Sequence, residues 1–305
     1  MKASLATSNG PLTVQIPGST IVVTGCYDAG MQSDIRLVEL REPDGFQQHV
    51  NLQDLVWGPE PGEAVPTHLL IASARNGAVV LGAYDGDDMV GCLYGLPALH
   101  AGRLTHLSHL LAVHPDYRGR GIGEALKWRQ RELVLAQGID TVTWTFDPLQ
   151  ALNARLNLSR LGGYSATYVR DYYGAMADSL NAGLPSDRLV LTWRLDAPAV
   201  AARARGDYQA AASRAGKAAV ALGSEPVRNG LRAPVPSPHD AASVTAVLVE
   251  VPADVAALKQ QDAALALRWR LAVRAALEGL FAAGYVANDV LRREGRSFYY
   301  VSMDR

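Results

Sequence analysis

The chain has 305 residues, 49% of them apolar, with 29 basic and 30 acidic side chains and a formal net charge of −1. Near-neutrality speaks against a dedicated nucleic-acid surface, which needs a basic excess to displace counterions from phosphates. That apolar content supplies a core for one large domain or two modest ones, and no apolar stretch reaches membrane-spanning length.

Residues 1–33 carry two β-prone runs, Thr13–Ile16 and Thr20–Thr24, split by Pro17-Gly18, and read as an arm or hairpin outside the main unit. They lack the basic-then-apolar layout of a signal peptide, so the expectation is a soluble cytoplasmic protein with no membrane partner. Cys26 and Cys92 sit among apolar neighbours and read as buried reduced thiols. Ile35–Leu40 reads as a strand, and Leu52, Leu55 and Val56 keep helical spacing within a helix from Phe46 to Trp57. A short helix over 67–75 comes after the proline-rich break. Val79–Tyr84 and Met89–Tyr94 then form a hairpin across Asp85-Gly86-Asp87.

His106–Val113 is the next strand, ended by Pro115, and after it comes Arg118-Gly119-Arg120-Gly121-Ile122-Gly123. Glycines at a strand-to-helix turn let the backbone approach a ligand and aim free N–H groups at it. With the helix dipole and two arginines beside them, the guest they suit bears phosphate. No Gly-Lys-Ser/Thr ends the run, and the 119/121/123 spacing differs from a dinucleotide fingerprint. The helix from Gly121 to Gln137 puts Ile122, Ala125, Leu126, Leu133 and Ala136 on one stripe, with Lys127, Arg131 and Glu132 outside it. In the strand Thr141–Asp147, Val142, Trp144 and Phe146 alternate with three threonines and Asp147, which suits core on one side and ligand on the other.

The motif Arg-x-x-Gly-x-Gly after Val113-His114-Pro115-Asp116-Tyr117, then Gly138, the strand to Asp147 and the helix Leu149–Leu161 ending in Gly162-Gly163, resembles the acyl-CoA signature of the GNAT superfamily of N-acyltransferases. The resemblance covers about residues 34–196 and is strongest over 106–164. It implies a mixed α/β sheet, acetyl-CoA or another acyl-CoA as co-substrate without a metal, and a CoA pyrophosphate held by Arg118, Gly119, Arg120, Gly121, Ile122 and Gly123. It further places Leu111, Ala112 and Val113 along the pantetheine, with an amide donor for the oxyanion, and Asn153 beside pantetheine or substrate. The Trp-Thr-Phe-Asp-Pro-Leu run and the Asn-Ala-x-Leu-Asn-Leu helix look similar to a larger, poorly assigned subgroup with a C-terminal extension, for which amino-acid N-acylation with acetyl or succinyl donors is the implied activity.

Acylating an amine requires removing a proton from an ammonium, stabilising an oxyanion and releasing a thiolate. His109 is the candidate base, with His106 and Ser108 as neighbours acting through water; each also reads as an ordinary strand residue. Asp147 is a candidate ammonium anchor or base, or else the cap of the helix opened by Pro148. Positions 106 and 109 fall on opposite faces of a regular strand, which disfavours a metal site from the histidines. Where many family members carry a tyrosine as general acid, this chain has Leu158; Tyr164, Tyr168, Tyr172 and Tyr173 are the substitutes present.

The alanine- and arginine-rich stretch over 197–232 reads as a boundary or a surface helix. Beyond it, Val244–Val251 is a strand, Asp262 to Ala283 a long helix, and Gly284-Tyr285 precedes two strands around Arg292-Arg293-Glu294-Gly295. This order echoes the helix Leu149–Leu161, Gly163-Tyr164 and the segment after them. The expected organisation is therefore an arm (1–33), a GNAT acyl-CoA-binding domain (34–196) and a C-terminal α/β domain (197–305), read either as a second, incomplete GNAT-like half or as a plain extension. The function expected is acyl transfer to a small amine; a non-catalytic acyl-CoA sensor and a structural partner that dimerises through its second half are the other readings.

Overall fold

The computed structural model describes residues 35–58, 64–174, 183–208, 218–237 and 244–303, and the backbone of 12–16 and 19–23. Cys26 lies outside these residues. β1 (Leu12–Ile16) and β2 (Ser19–Val23) pair as an antiparallel hairpin separate from the main sheet, the arrangement expected around Pro17-Gly18.

The other described strands join one 12-stranded mixed sheet. Its first half contains β3 (Ile35–Glu39), α1 (Pro43–Trp57), α2 (Thr67–Ala74), β4 (Val79–Asp85), β5 (Asp88–His100), β6 (Arg103–Val113), α3 (Ile122–Ala136), β7 (Thr141–Phe146), α4 (Ala151–Ala154), β8 (Tyr164–Val169) and β9 (Arg188–Arg194). α4 widens into a π-turn over Arg155–Arg160. The strands lie in the order β3-β4-β5-β6-β7-β9-β8. Alternation assigns the two faces. Val80, Cys92, Tyr94 and Ala112 pack with Phe46, Leu52 and Leu70 of α1 and α2, whereas Val79, Leu81, Leu93 and Val142 pack with Ile122, Leu126 and Val134 of α3.

The second half holds α5 (Pro198–Ala204), β10 (Ala219–Pro226), β11 (Arg232–Pro236), β12 (Ala246–Val251), α6 (Val255–Gln261), α7 (Ala263–Ala282), β13 (Val286–Arg293) and β14 (Arg296–Ser302). Its strands continue the sheet as β13-β14-β12-β10-β11, joined to the first half where Ser165 of β8 pairs with Ala287 of β13. The run β12–α7–β13–β14 is laid down as β12-β14-β13, the same plan as β7–α4–β8–β9 laid down as β7-β9-β8. β10 is parallel to β12 as β6 is to β7. One core crosses the join: Phe146, Leu189 and Leu191 pack with Trp269, Val273 and Tyr299.

The stretch 197–232 departs from expectation. α5 is a helix there, but Ala219 to Pro226 is a strand that pairs with both β11 and β12. Its alanines carry little β propensity, and the pairing with β12, all six of whose residues are buried, decides the conformation.

Candidate active site

β6 and β7 run parallel but pair only at His106 with Val142 and Leu107 with Thr143; beyond those positions they part, opening a V in the sheet. Within β6, Leu110 pairs with Tyr94 and Ser108 with Gly95, so His109 is the extra residue of a β-bulge. A bulge re-aims side chains. His109 is turned to the exposed surface on the α1–α2 side, its ring edge against Tyr94 at 5.7 Å. Ser108 and His106 are turned the opposite way, toward α3.

The strand's alternation also sorts its backbone. His114 N–H donates to Val90 C=O of β5 at 2.9 Å. Two-residue periodicity then turns the amide of Ala112 to β5 as well, and leaves those of Leu111 and Val113 facing the V. The Ala112 side chain is buried on the α1–α2 side. Arg118 Nε donates to Val113 C=O at 3.3 Å, which bends the exposed Arg118 back along the mouth of the V.

At the mouth, a 3-10 turn over Pro115–Tyr117 leads to Gly119 (φ +79°) and Gly121 (φ +81°). Both are left-handed, a conformation that side chains bearing Cβ resist, and no atom lies within 4 Å of a Cβ placed at either. Gly121 caps α3, whose first internal bond runs from Ala125 N–H to Gly121 C=O at 3.0 Å. Among the described residues the amides of Gly121, Ile122, Gly123 and Glu124 therefore find no carbonyl, and they project from the positive end of the helix dipole. Arg120 lies over the Tyr117 ring at 4.5 Å and bonds Asp116 C=O, and Tyr117 donates to Asp85 at 2.8 Å, so the turn is braced from outside. Gly123 lies one layer deeper, where a Cβ would touch Leu111 and Val113 at 3.7 Å and Leu156 at 4.0 Å. These apolar side chains form the wall behind the cradle. A phosphate-bearing ligand fits this chemistry: open backbone donors at the rim with an apolar wall behind them.

Other expected residues lie elsewhere. Asp147 forms a two-pronged pair with Arg270 of α7 at 2.7 and 2.8 Å and accepts Leu149 N–H at 2.8 Å. Leu158 is fully buried in the core shared with α7, away from the V. Asn153 is exposed and accepts from Asn157 at 3.2 Å. Tyr168 is bound to Asp187, while the exposed Tyr173 hydroxyl lies 3.2 Å from Thr145 on β7. Cys92 is buried, and burial pushes its thiol well above the ordinary range. Among the described residues no group of His, Cys, Asp and Glu could hold a metal ion, and no helix is long and apolar enough to cross a membrane.

One residue is contrary to the helical pattern. Lys127, expected outside the apolar stripe of α3, is 2% exposed. Its Nζ donates to Ser108 Oγ at 2.9 Å and Gln130 Oε1 at 2.8 Å, and lies 3.5 Å from the centre of the Trp144 ring. Burial, unrelieved by any carboxylate among the described residues, holds its pKa well below the ordinary lysine range. Next to it, burial and then Lys127 push the His106 pKa down to about 4. Burial lowers that of His109 too. Stripe geometry could not reveal Lys127, because Ser108 and Trp144 belong to other elements.

Residues 76–154 match the family described as an acetyltransferase (GNAT) domain. A putative GNAT acetyltransferase from Desulfovibrio desulfuricans is similar at 19% identity over 53% of this chain and 99% of that one, with a TM-score of 0.44. The ribosomal-protein-S18-alanine N-acetyltransferase of Escherichia coli is similar at 15% identity over 53% and 94% of the two chains, with a TM-score of 0.42. A chain of the NatC complex bound to Gag peptide and CoA is similar at 18% identity over 53% and 98%, with a TM-score of 0.43. No curated protein matches the chain. Part of the chain, residues 76–154, is thus a GNAT acetyltransferase domain.

Proposed function

We propose that this protein is a CoA-dependent N-acyltransferase that passes a short acyl group to a small amine by direct attack on the thioester. The observation that carries the reading is the row of amides at Gly121 to Glu124, unpaired among the described residues, at the mouth of the V between β6 and β7. Acyl-CoA, when bound, supplies an activated carbonyl with a thiolate leaving group; everything else is asked of the chain.

In this reading the amides at Gly119, Gly121, Ile122 and Gly123 hold the pyrophosphate, with Arg118 and Arg120 adding positive potential. Leu111 and Val113 offer the V their backbone groups, and the Leu111 amide donates to the oxygen that becomes negative in the transition state. Ala112 supports the V from the ladder side. His109, kept neutral by its lowered pKa, takes the proton of the incoming ammonium on the α1–α2 side. Asp147 we assign to the join between the halves, because both of its oxygens are committed to Arg270. The thiolate is a weak base and leaves without a dedicated acid; the exposed Tyr173 hydroxyl, 3.2 Å from Thr145 of β7, is a hydroxyl available beside that strand. The C-terminal half we read as a second GNAT-like half that kept the strand plan without the cradle. An amino acid is the acceptor class we favour.

Free-thiol release from a panel of acyl-CoAs, with and without amines, tests this. Amine-dependent thiol release supports the reading, and tight CoA binding without amine-dependent release would instead identify an acyl-CoA sensor.

A further inference from the structure

At the closed end of the V three buried polar side chains meet. Lys127 is 2% exposed and His106 and Gln130 are fully buried. Among the described residues neither ring nitrogen of His106 has a hydrogen-bond partner, and neither has Gln130 Nε2. A buried polar atom left unpaired costs on the order of 1–3 kcal/mol, so three in one place call for an explanation. They converge: a Cβ at Gly95 would collide with both His106 Nε2 and Gln130 Nε2. Gln130 Oε1 in turn accepts from Lys127, and Ser108 bridges Lys127 to Gln130.

Donors predominate in the unmet capacity: Gln130 Nε2 can only donate, and neutral imidazole offers one N–H beside one acceptor nitrogen. Lys127 is a latent cation with no carboxylate beside it among the described residues. What the donors lack is an acceptor, and the acceptor that would also restore the charge of a lysine is an anion. Position fixes where that anion belongs. Ser108 precedes the bulged His109, and Trp144, against which Lys127 lies, is the first residue of β7 beyond its pairing with β6. The cluster therefore underlies the apex of the V, at the end opposite the cradle.

We propose that Lys127, Gln130 and His106 form a subsite for a substrate carboxylate at the apex of the V. This rests on the acyltransferase reading and narrows its substrates. A carboxylate there belongs either to the acyl donor, as the far end of a dicarboxylic acyl-CoA, or to the amine, as the α-carboxylate of an amino acid. On binding, the carboxylate accepts from Lys127 and Gln130, and Lys127 holds its proton.

The test uses the full chain and two matched substrate pairs: succinyl-CoA against butyryl-CoA, and an amino acid against its carboxamide, each in the wild type and in Lys127→Met. The expected result is a wild-type kcat/KM at least about tenfold higher for the charged member of one pair, since hydrogen bonds to charged groups are worth about 1.5–3 kcal/mol. In Lys127→Met that preference collapses toward unity, with Gln130→Leu as the second variant. The pair that shows the preference identifies the source of the carboxylate. Ratios near one for both pairs in the wild type, or an unaltered ratio in both variants, overturn the subsite while turnover of the neutral members leaves the acyltransferase reading standing. Failure of every donor with every amine overturns both.

Discussion

The two halves of the sheet share a strand plan and differ in what the plan is used for. In the first half, the parallel pair β6 and β7 separates after two paired positions, and a glycine turn with two left-handed residues places unpaired amides at the opening. In the second half, the parallel pair β10 and β12 is joined by a hairpin into β11, and where those strands end, the gap is tied shut. Glu250 accepts from Ser224 at 2.6 Å and pairs with Arg296 at 3.3 Å, and Arg232 donates to Ser224 at 2.7 Å. The helices differ as well. α4 is short and widens into a π-turn, whereas α7 is a regular helix of 20 residues that sends Arg270 and Arg274 to Asp147 and Asp187 of the first half. A topology repeats cheaply; a site also requires the turn chemistry and the splay. One half carries these, and the other is built to brace it.

That contrast is open to direct tests, beginning where the halves meet. Arg270→Met leaves the part-buried Asp147 without its partner and is expected to destabilise the fold by about 3 kcal/mol in denaturant titration, with most of the loss recovered in Arg270→Met/Asp147→Asn. An additive double variant would mean that the pair does not couple the halves. Within the first half, Gly121→Val forces a branched side chain into a left-handed position and fills the cradle, so CoA affinity measured by calorimetry should fall about a hundredfold. The matching change at the left-handed Gly230 of the second half, Gly230→Val, should leave CoA affinity where it was. Equal losses from both glycines would mean that the cradle is not the CoA site.

His109→Gln should lower kcat about a hundredfold with CoA affinity nearly unaltered. The acid limb of the wild-type kcat/KM profile should fall below pH 6.5, because burial lowers the His109 pKa and the base stays neutral to lower pH. Retention of that limb in the variant would remove His109 as the base. Arg118→Glu, at an exposed position, should weaken CoA binding about tenfold and less at high salt. The smallest effect concerns stability. His49 and His106 are buried with pKa values near 4, below the unfolded value of 6.5. Between those values the unfolded chain binds more protons, so stability falls as pH drops from 6.5 toward 4, by on the order of 1 kcal/mol per histidine by pH 5.5. A flat melting temperature between pH 7 and 5.5 would contradict their burial as neutral rings.

Much of this architecture was legible in one dimension because it is set by local patterns. Alternation marks β7, apolar runs on either side of Asp85-Gly86-Asp87 mark β4 and β5, glycine and proline mark the turns, and the 119/121/123 glycines suit a turn into a helix. The echo between Leu149–Tyr164 and Asp262–Tyr285 was readable too, since a helix, then Gly-Tyr and a strand, recurs within each segment.

The residue pattern determined the glycine turn and the order of elements from β3 to α4, because dihedral preference and hydrophobic period act over a few neighbours. Tertiary structure alone decided that β10 is a strand, that Asp147 serves Arg270, that His109 bulges outward and that Lys127 is buried. Each of those outcomes depends on a partner far along the chain, 123 residues away for Asp147 and 19 for Lys127. A charge is placed by whatever packs against it, and no local periodicity encodes that.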